Sequence, residues 1–145
     1  DLLRKTNTVY NVYGYRRFYT DRYDNLLPKA LAWIASSTVS VTIDRGMKHV
    51  FGPNVFGNVV SDDDRYDPWS GREYIGLPQV QLLMQIHDSI ICQLPAGTEN
   101  ELIPQIKERM EVEIPYEIQL VIPITLKIGA KGEAWGDLQN WSEAA

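Results

Sequence analysis

Residues 82–95 read LLMQIHDSIICQLP, a His-Asp pair set between two apolar runs. On the N-terminal side Val80, Leu82, Met84 and Ile86 alternate with Gln81, Leu83, Gln85 and His87. On the other side Ile90, Ile91, Cys92 and Leu94 make a second short apolar run. Period-two alternation predicts a strand with one buried face. Two such runs around a polar pair predict a β-hairpin. Asp88 then falls at the tip, where the backbone turns and the side chain is exposed. A carboxylate on a stiff hairpin tip suits a metal ion better than one on a mobile loop. An ordinary hairpin with a polar turn gives the same pattern, so the rest of the chain has to decide between them.

This stretch resembles motif C of family A DNA polymerases, a palm-domain hairpin carrying His-Asp-Glu. Here the three residues are His87-Asp88-Ser89, and phage members reading Q-[IV]-H-D-S are similar. The resemblance implies that Asp88 is one of two aspartates holding two Mg²⁺ ions around the transferring phosphates. It also implies that His87 lies near the primer terminus and that Ser89 stands one layer out from the metal.

The chain has 145 residues, a single-domain length that can bury a core. Its 44% hydrophobic and 10% aromatic content is that of a folded chain, not a disordered one. No unbroken run of about 18 apolar residues occurs, so no membrane span is expected, and no signal pattern opens the chain. The lone Cys92 forms no internal disulfide, which fits a reducing compartment, and no zinc spacing is present. The expected location is cytoplasmic, that of the host if the chain is phage-encoded. Net charge is −5, but it is uneven. Residues 1–29 hold six basic residues against three acids, leaving −8 for the rest. A basic end on an acidic body places phosphate contacts on one face.

In chain order, residues 1–7 read as the tail of a helix. Thr8–Val12 and Arg17–Thr20, with Gly14 between them, predict a small hairpin. Arg16 and Arg17 stand among Tyr13, Tyr15, Phe18 and Tyr19, a mixture that suits phosphate contact and stacking, or plain packing of Arg on Tyr. The pattern of Thr8, Asn11, Gly14 and Arg17 is similar to the T-x-[TF]-G-R-x-R segment that follows the nucleotide-binding helix in the family, with Tyr15 where an Arg is frequent.

Asp24 or Asn25 caps a predicted helix running to about Met47, with Leu27, Leu31, Ile34, Ala35, Thr38 and Val41 on one stripe. Its Ser36–Thr42 run is poor for an isolated helix. Either tertiary packing or a ligand met by the hydroxyls must compensate. The family has here a helix bearing P-x-Q-[GS]-T-[AV]-A-D along the primer–template minor groove. Ser37, Thr38 and Val39 match it, Ser36 replaces the Gln and Val41 the Asp. Residues 48–79 are rich in Gly, Pro, Asn and Asp and are expected to form a long loop, with Asp62-Asp63-Asp64 solvated in it.

After the hairpin, Thr98 or Asn100 caps a helix with Leu102, Ile103, Ile106 and Met110 inside and Lys107, Glu108, Arg109 and Glu111 outside. Ile118, Leu120, Ile122, Ile124, Leu126 and Ile128 share one parity and predict a strand, bent or at an edge at Pro123. Pro123, Gly129, Trp135 and Asp137 are similar to the family's closing motif, with Trp135 expected to anchor the chain end.

The expected fold is therefore α+β, an antiparallel palm-type sheet with packed helices. Its expected divisions are a hairpin (1–23), a minor-groove helix (24–47), a loop insertion (48–79) and the motif C hairpin, helix and final strand (80–145). The resemblance implies a DNA-directed DNA polymerase acting on primer–template DNA and a dNTP, with Asp88 and His87 in the catalytic site. Arg16, Arg17, Ser36, Ser37, Thr38 and His87 are the expected nucleic-acid contacts. The family takes its second carboxylate from a D-[FY]-S-x-[IL]-E strand, and its nucleotide-binding helix carries R-x-x-x-K. Neither pattern occurs in the chain. The expectation is a split or cleaved polymerase whose larger partner chain supplies them. The alternative is a non-catalytic nucleic-acid-binding or scaffolding module derived from the palm. An unrelated α+β interaction domain is a third reading.

Overall fold

The computed structural model describes residues 2–20, 26–57 and 60–141. A short helix α1 (Leu2–Thr6) leads into the hairpin β1 (Thr8–Tyr10) and β2 (Arg16–Phe18). Helix α2 (Leu26–Phe51) follows, then a loop with a 3₁₀ turn at Asp62–Arg65. The second hairpin is β3 (Gln81–Ile86) and β4 (Ser89–Gln93), followed by α3 (Glu99–Met110). Short strands β5 (Glu113–Ile114), β6 (Leu120–Val121), β7 (Lys127–Ile128) and β8 (Gln139–Asn140) complete the chain. The class is α+β, but the strands do not join one sheet. Among the described residues they form four separate antiparallel pairs, β1–β2, β3–β4, β5–β6 and β7–β8.

Helix α2 is the spine, about 39 Å long at 1.5 Å per residue. Its N-terminal half packs Leu26 and Ala30 against Val9 and Tyr19 of the first hairpin region, with Leu3, Trp33 and Ile34 alongside. Its C-terminal end packs Val50 against Leu77, Val80, Leu102 and Ile106, with Cys92 and Leu94 closing the cluster. Each fully buried aliphatic side chain there contributes about 1.5–3 kcal/mol. Gly46 lets α3 approach closely. A Cβ on it would lie 3.0 Å from the Met110 carbonyl oxygen. Three of the last carbonyls of α2 are met: Lys48 by the Gly52 N–H at 2.9 Å, Val50 by Leu77 N–H at 2.6 Å, and His49 by the Arg109 guanidinium at 3.0 Å.

Several expectations need correction. The predicted stripe on α2 is displaced by one residue at its start: Leu26 and Ala30 are buried, whereas Leu27 and Leu31 are exposed. The proposed caps Asp24 and Asn25 lie outside the described residues. The helix also runs past Met47 to Phe51, where Gly52 (φ +89°) ends it. Its length and composition alone would allow it to cross a membrane, a property that packed core helices share. Arg109 is half-buried rather than outside, and it also reaches the Gly76 carbonyl at 3.1 Å. Helix α3 begins at Glu99, with Thr98, the first of the two expected caps, at its N-cap, and it carries Pro104 inside it. The predicted long strand over 118–128 is two short ones, with Ile118 84% exposed. Trp135 is exposed on a 3₁₀ turn and anchors nothing by burial.

Candidate functional site

The His-Asp pair forms the two-residue turn of the β3–β4 hairpin, with Ile86 and Ser89 the last paired residues. His87 takes φ +53°, the left-handed region that non-glycine residues seldom occupy. His87, Asp88 and Ser89 are all exposed. The Gln85 amide donates to the His87 carbonyl at 3.5 Å, the one side-chain bond described at the turn. Leu82 pairs with Cys92 and Met84 with Ile91, so Leu83 is an extra residue in β3. This bulge breaks the alternation read from the sequence. Leu83 is 55% and Met84 51% exposed, although their neighbours at the base of the hairpin reach the core.

Asp88 is the one carboxylate at this tip. Among the described residues no group of three His, Cys, Asp or Glu side chains is placed to hold a metal ion. A two-ion centre needs carboxylates on both sides of the ions. At the turn itself the chain offers one carboxylate, that of Asp88. The acidic run Asp62–Asp64 is exposed, as expected. Asp64 accepts from the Ser61 hydroxyl at 2.7 Å and the Ser61 N–H at 3.1 Å, bonds that lower its pKa.

The expected nucleic-acid contacts divide into two groups. Arg16, Ser36 and Ser37 line one cleft of about 490 Å³ with Asn11, Tyr15, Trp33, Ser40 and Val41. The first hairpin and the middle of α2 build it together. The Asn11 side-chain oxygen accepts from the N–H groups of Tyr13 at 3.1 Å and Tyr15 at 3.0 Å, shaping the turn. The Asn11 amide then donates to Ser37 Oγ at 3.1 Å, fixing the hairpin on the helix. Ser36 is exposed, and its hydroxyl donates to the Trp33 carbonyl at 3.2 Å. Thr38, by contrast, is buried and donates to the Ile34 carbonyl at 2.8 Å. Its hydroxyl is spent inside the helix and does not line the cleft. Arg17 pairs across the hairpin with buried Val9, and its guanidinium lies 5.2 Å from the Tyr19 ring centre.

A buried charged cluster was not anticipated. The Asp67 side chain is wholly buried, and Arg45 grips it with Nε–H to Oδ1 at 3.0 Å and an Nη2–H to Oδ2 at 2.7 Å. His49 Nε2–H donates to Oδ2 at 3.3 Å, Ser70 Oγ–H to Oδ2 at 2.7 Å and the Trp69 N–H to Oδ1 at 3.2 Å. Arg45 also donates to Tyr13 Oη at 3.0 Å and the Glu113 carbonyl at 2.7 Å, with the Tyr13 and Trp69 rings about it. Burial alone raises a carboxyl pKa. Here the His49, Arg45, Ser70 and Trp69 donors outweigh it and hold Asp67 far below the usual carboxylate range. Tyr74, its ring centre 4.6 Å from that of His49 and tilted 58° to it, is pushed up by burial and by the Asp67 charge. The cluster ties the 53–79 loop, the first hairpin and β5 to α2. Its sequence signal was Arg45 and His49 four residues apart on one helical face.

No family model, curated protein or solved structure matches this chain.

Proposed function

We propose that this chain is the C-terminal palm portion of a family A-like, phage-type DNA polymerase, contributing Asp88 to a site completed by a larger partner chain. The observation that carries the reading is the exposed Asp88 on a two-residue turn between β3 and β4, next to His87. The hairpin's base is embedded in the core formed with α2 and α3, so the carboxylate stands on a supported ribbon. The cleft that joins Arg16 to Ser36 and Ser37 supports a nucleic-acid partner. Two further features support the larger chain. Leu83 and Met84 are apolar and exposed on β3, and among the described residues β3 and β4 pair only with each other, leaving an unpaired edge on each. A polypeptide laid along this ribbon covers both features and brings the second carboxylate. Primer–template DNA and a dNTP are then the substrates, and Mg²⁺ the metal. The lone carboxylate, with Ser at positions 36 and 89, favours as a second reading a non-catalytic nucleic-acid-binding module derived from the palm.

Primer extension separates the two. The chain alone is expected to be inactive, and the chain with the proteins that co-purify with it to extend a primer in a Mg²⁺-dependent manner. Asp88→Asn in that mixture is expected to abolish extension while folding and DNA binding stay unchanged. DNA binding without extension in the mixture overturns the polymerase reading in favour of the module. Extension that survives Asp88→Asn removes Asp88 from the site.

A further inference from the structure

The first hairpin has two unlike faces. Cross-strand partners share a face, and residues two apart share it too. Val9 pairs with Arg17, and Val9 is buried against α2. The opposite face therefore carries Thr8 with Phe18, and Tyr10 with Arg16. Phe18 is 65% and Tyr10 47% exposed, and Arg16 is exposed beside them. From Arg16 this face runs into the cleft lined by Tyr15, Trp33, Ser36 and Ser40.

The charged side chains of the two described segments that build this face and its cleft are of one sign. No Asp or Glu occurs between Leu2 and Thr20 or between Leu26 and Ile43, in a chain of net charge −5. A hairpin face bearing two exposed aromatic rings and a guanidinium is complementary to a polyanion that also offers flat apolar faces. We infer that the outer face of β1–β2 is a stacking platform for the unpaired bases of a single-stranded nucleic acid. Tyr10 and Phe18 meet the bases, Arg16 meets the backbone phosphates, and the strand passes on into the Trp33–Ser36 cleft. A duplex hides its base faces in its own stack, so the platform selects single strands. Arg17 lies on the other face, over Tyr19, and takes no part in the stacking. The inference rests on the nucleic-acid half of the proposed function and needs neither Asp88 nor polymerisation.

The test is fluorescence anisotropy of the full chain with a labelled 15-nucleotide oligothymidylate and with a duplex of equal length. The single strand is expected to bind more tightly. Phe18→Ala and Tyr10→Ala are each expected to weaken it roughly 5- to 150-fold, from the usual worth of one aromatic–base stack. Arg16→Gln is expected to reduce the slope of log affinity against log salt by about 0.7. Glu108→Gln, at an exposed position of α3, is the control and leaves binding unchanged. Circular dichroism checks that the variants, all at exposed positions, stay folded. Absence of binding, equal or tighter binding of the duplex, or binding indifferent to Tyr10 and Phe18 overturns the inference. Primer extension in the co-purified mixture reports on the polymerase reading separately, so either can fail without the other.

Discussion

Asp67 accepts five hydrogen bonds in a site closed to water, and two of them come from one guanidinium. Removing the carboxylate strands the Arg45 charge in the interior. Asp67→Ala is expected to cost about 3–5 kcal/mol, read as a lowered urea midpoint at pH 7. The pH dependence has a definite sign. A carboxylate whose folded pKa is depressed stabilises the fold fully above its unfolded pKa, about 3.9. The unfolded chain takes up the proton first as pH falls, so stability declines from about pH 4 downward toward the folded pKa. Urea titrations at pH 7, 4 and 3 are expected to show this decline in the native protein and a shallower one in Asp67→Ala. The pair was hard to read from the sequence for a simple reason. Arg45 and Asp67 are 22 residues apart, and Asp67 sits just past an acidic run that is indeed solvated. Nothing local marks the fourth nearby acid as the buried one.

The β3–β4 hairpin shows what local pattern conveys and where it stops. Its position, its turn at His87–Asp88 and its exposed Asp88 all follow from two apolar runs around a polar pair. The bulge at Leu83 does not, because an extra residue is invisible until the partner strand sets the register. The 118–128 segment fails for a related reason. Its parity is regular, but among the described residues β6 finds only the two residues of β5, and β7 only the two of β8. A strand is completed by its neighbours, and parity alone does not supply them. In α2, the Ser and Thr residues that argue against a helix are satisfied by bonding back to it. Thr38 reaches Ile34 and Thr42 reaches Thr38, each at 2.8 Å. At the hairpin turn the left-handed His87 carries a backbone cost that glycine avoids. His87→Gly is therefore expected to stabilise the hairpin by about 1 kcal/mol, seen as slower amide exchange in β3 and β4. A functional loss in that variant then reports the imidazole, not the fold.

At the scale of the whole molecule, α2 carries one cluster at each end, the first hairpin at its start and α3 with the second hairpin at its finish. The order of these parts was readable from composition and turn residues, and so was the cationic N-terminal region. Their assembly was not, because it depends on Asn11, Arg45 and Arg109, polar residues whose partners lie 26, 22 and 60 positions away. The separation of the two ends has an electrical consequence. The helix between them spans about 39 Å, whereas fields in 0.1 M salt decay over about 10 Å. A charged matrix therefore meets one end at a time and never the average. On a cation-exchange column at pH 7 this chain, with a pI near 5.0, is expected to be retained when its net charge says it should flow through. Arg16→Gln combined with Arg17→Gln is expected to elute at lower salt. Its isoelectric point describes a mean that neither end of the molecule possesses.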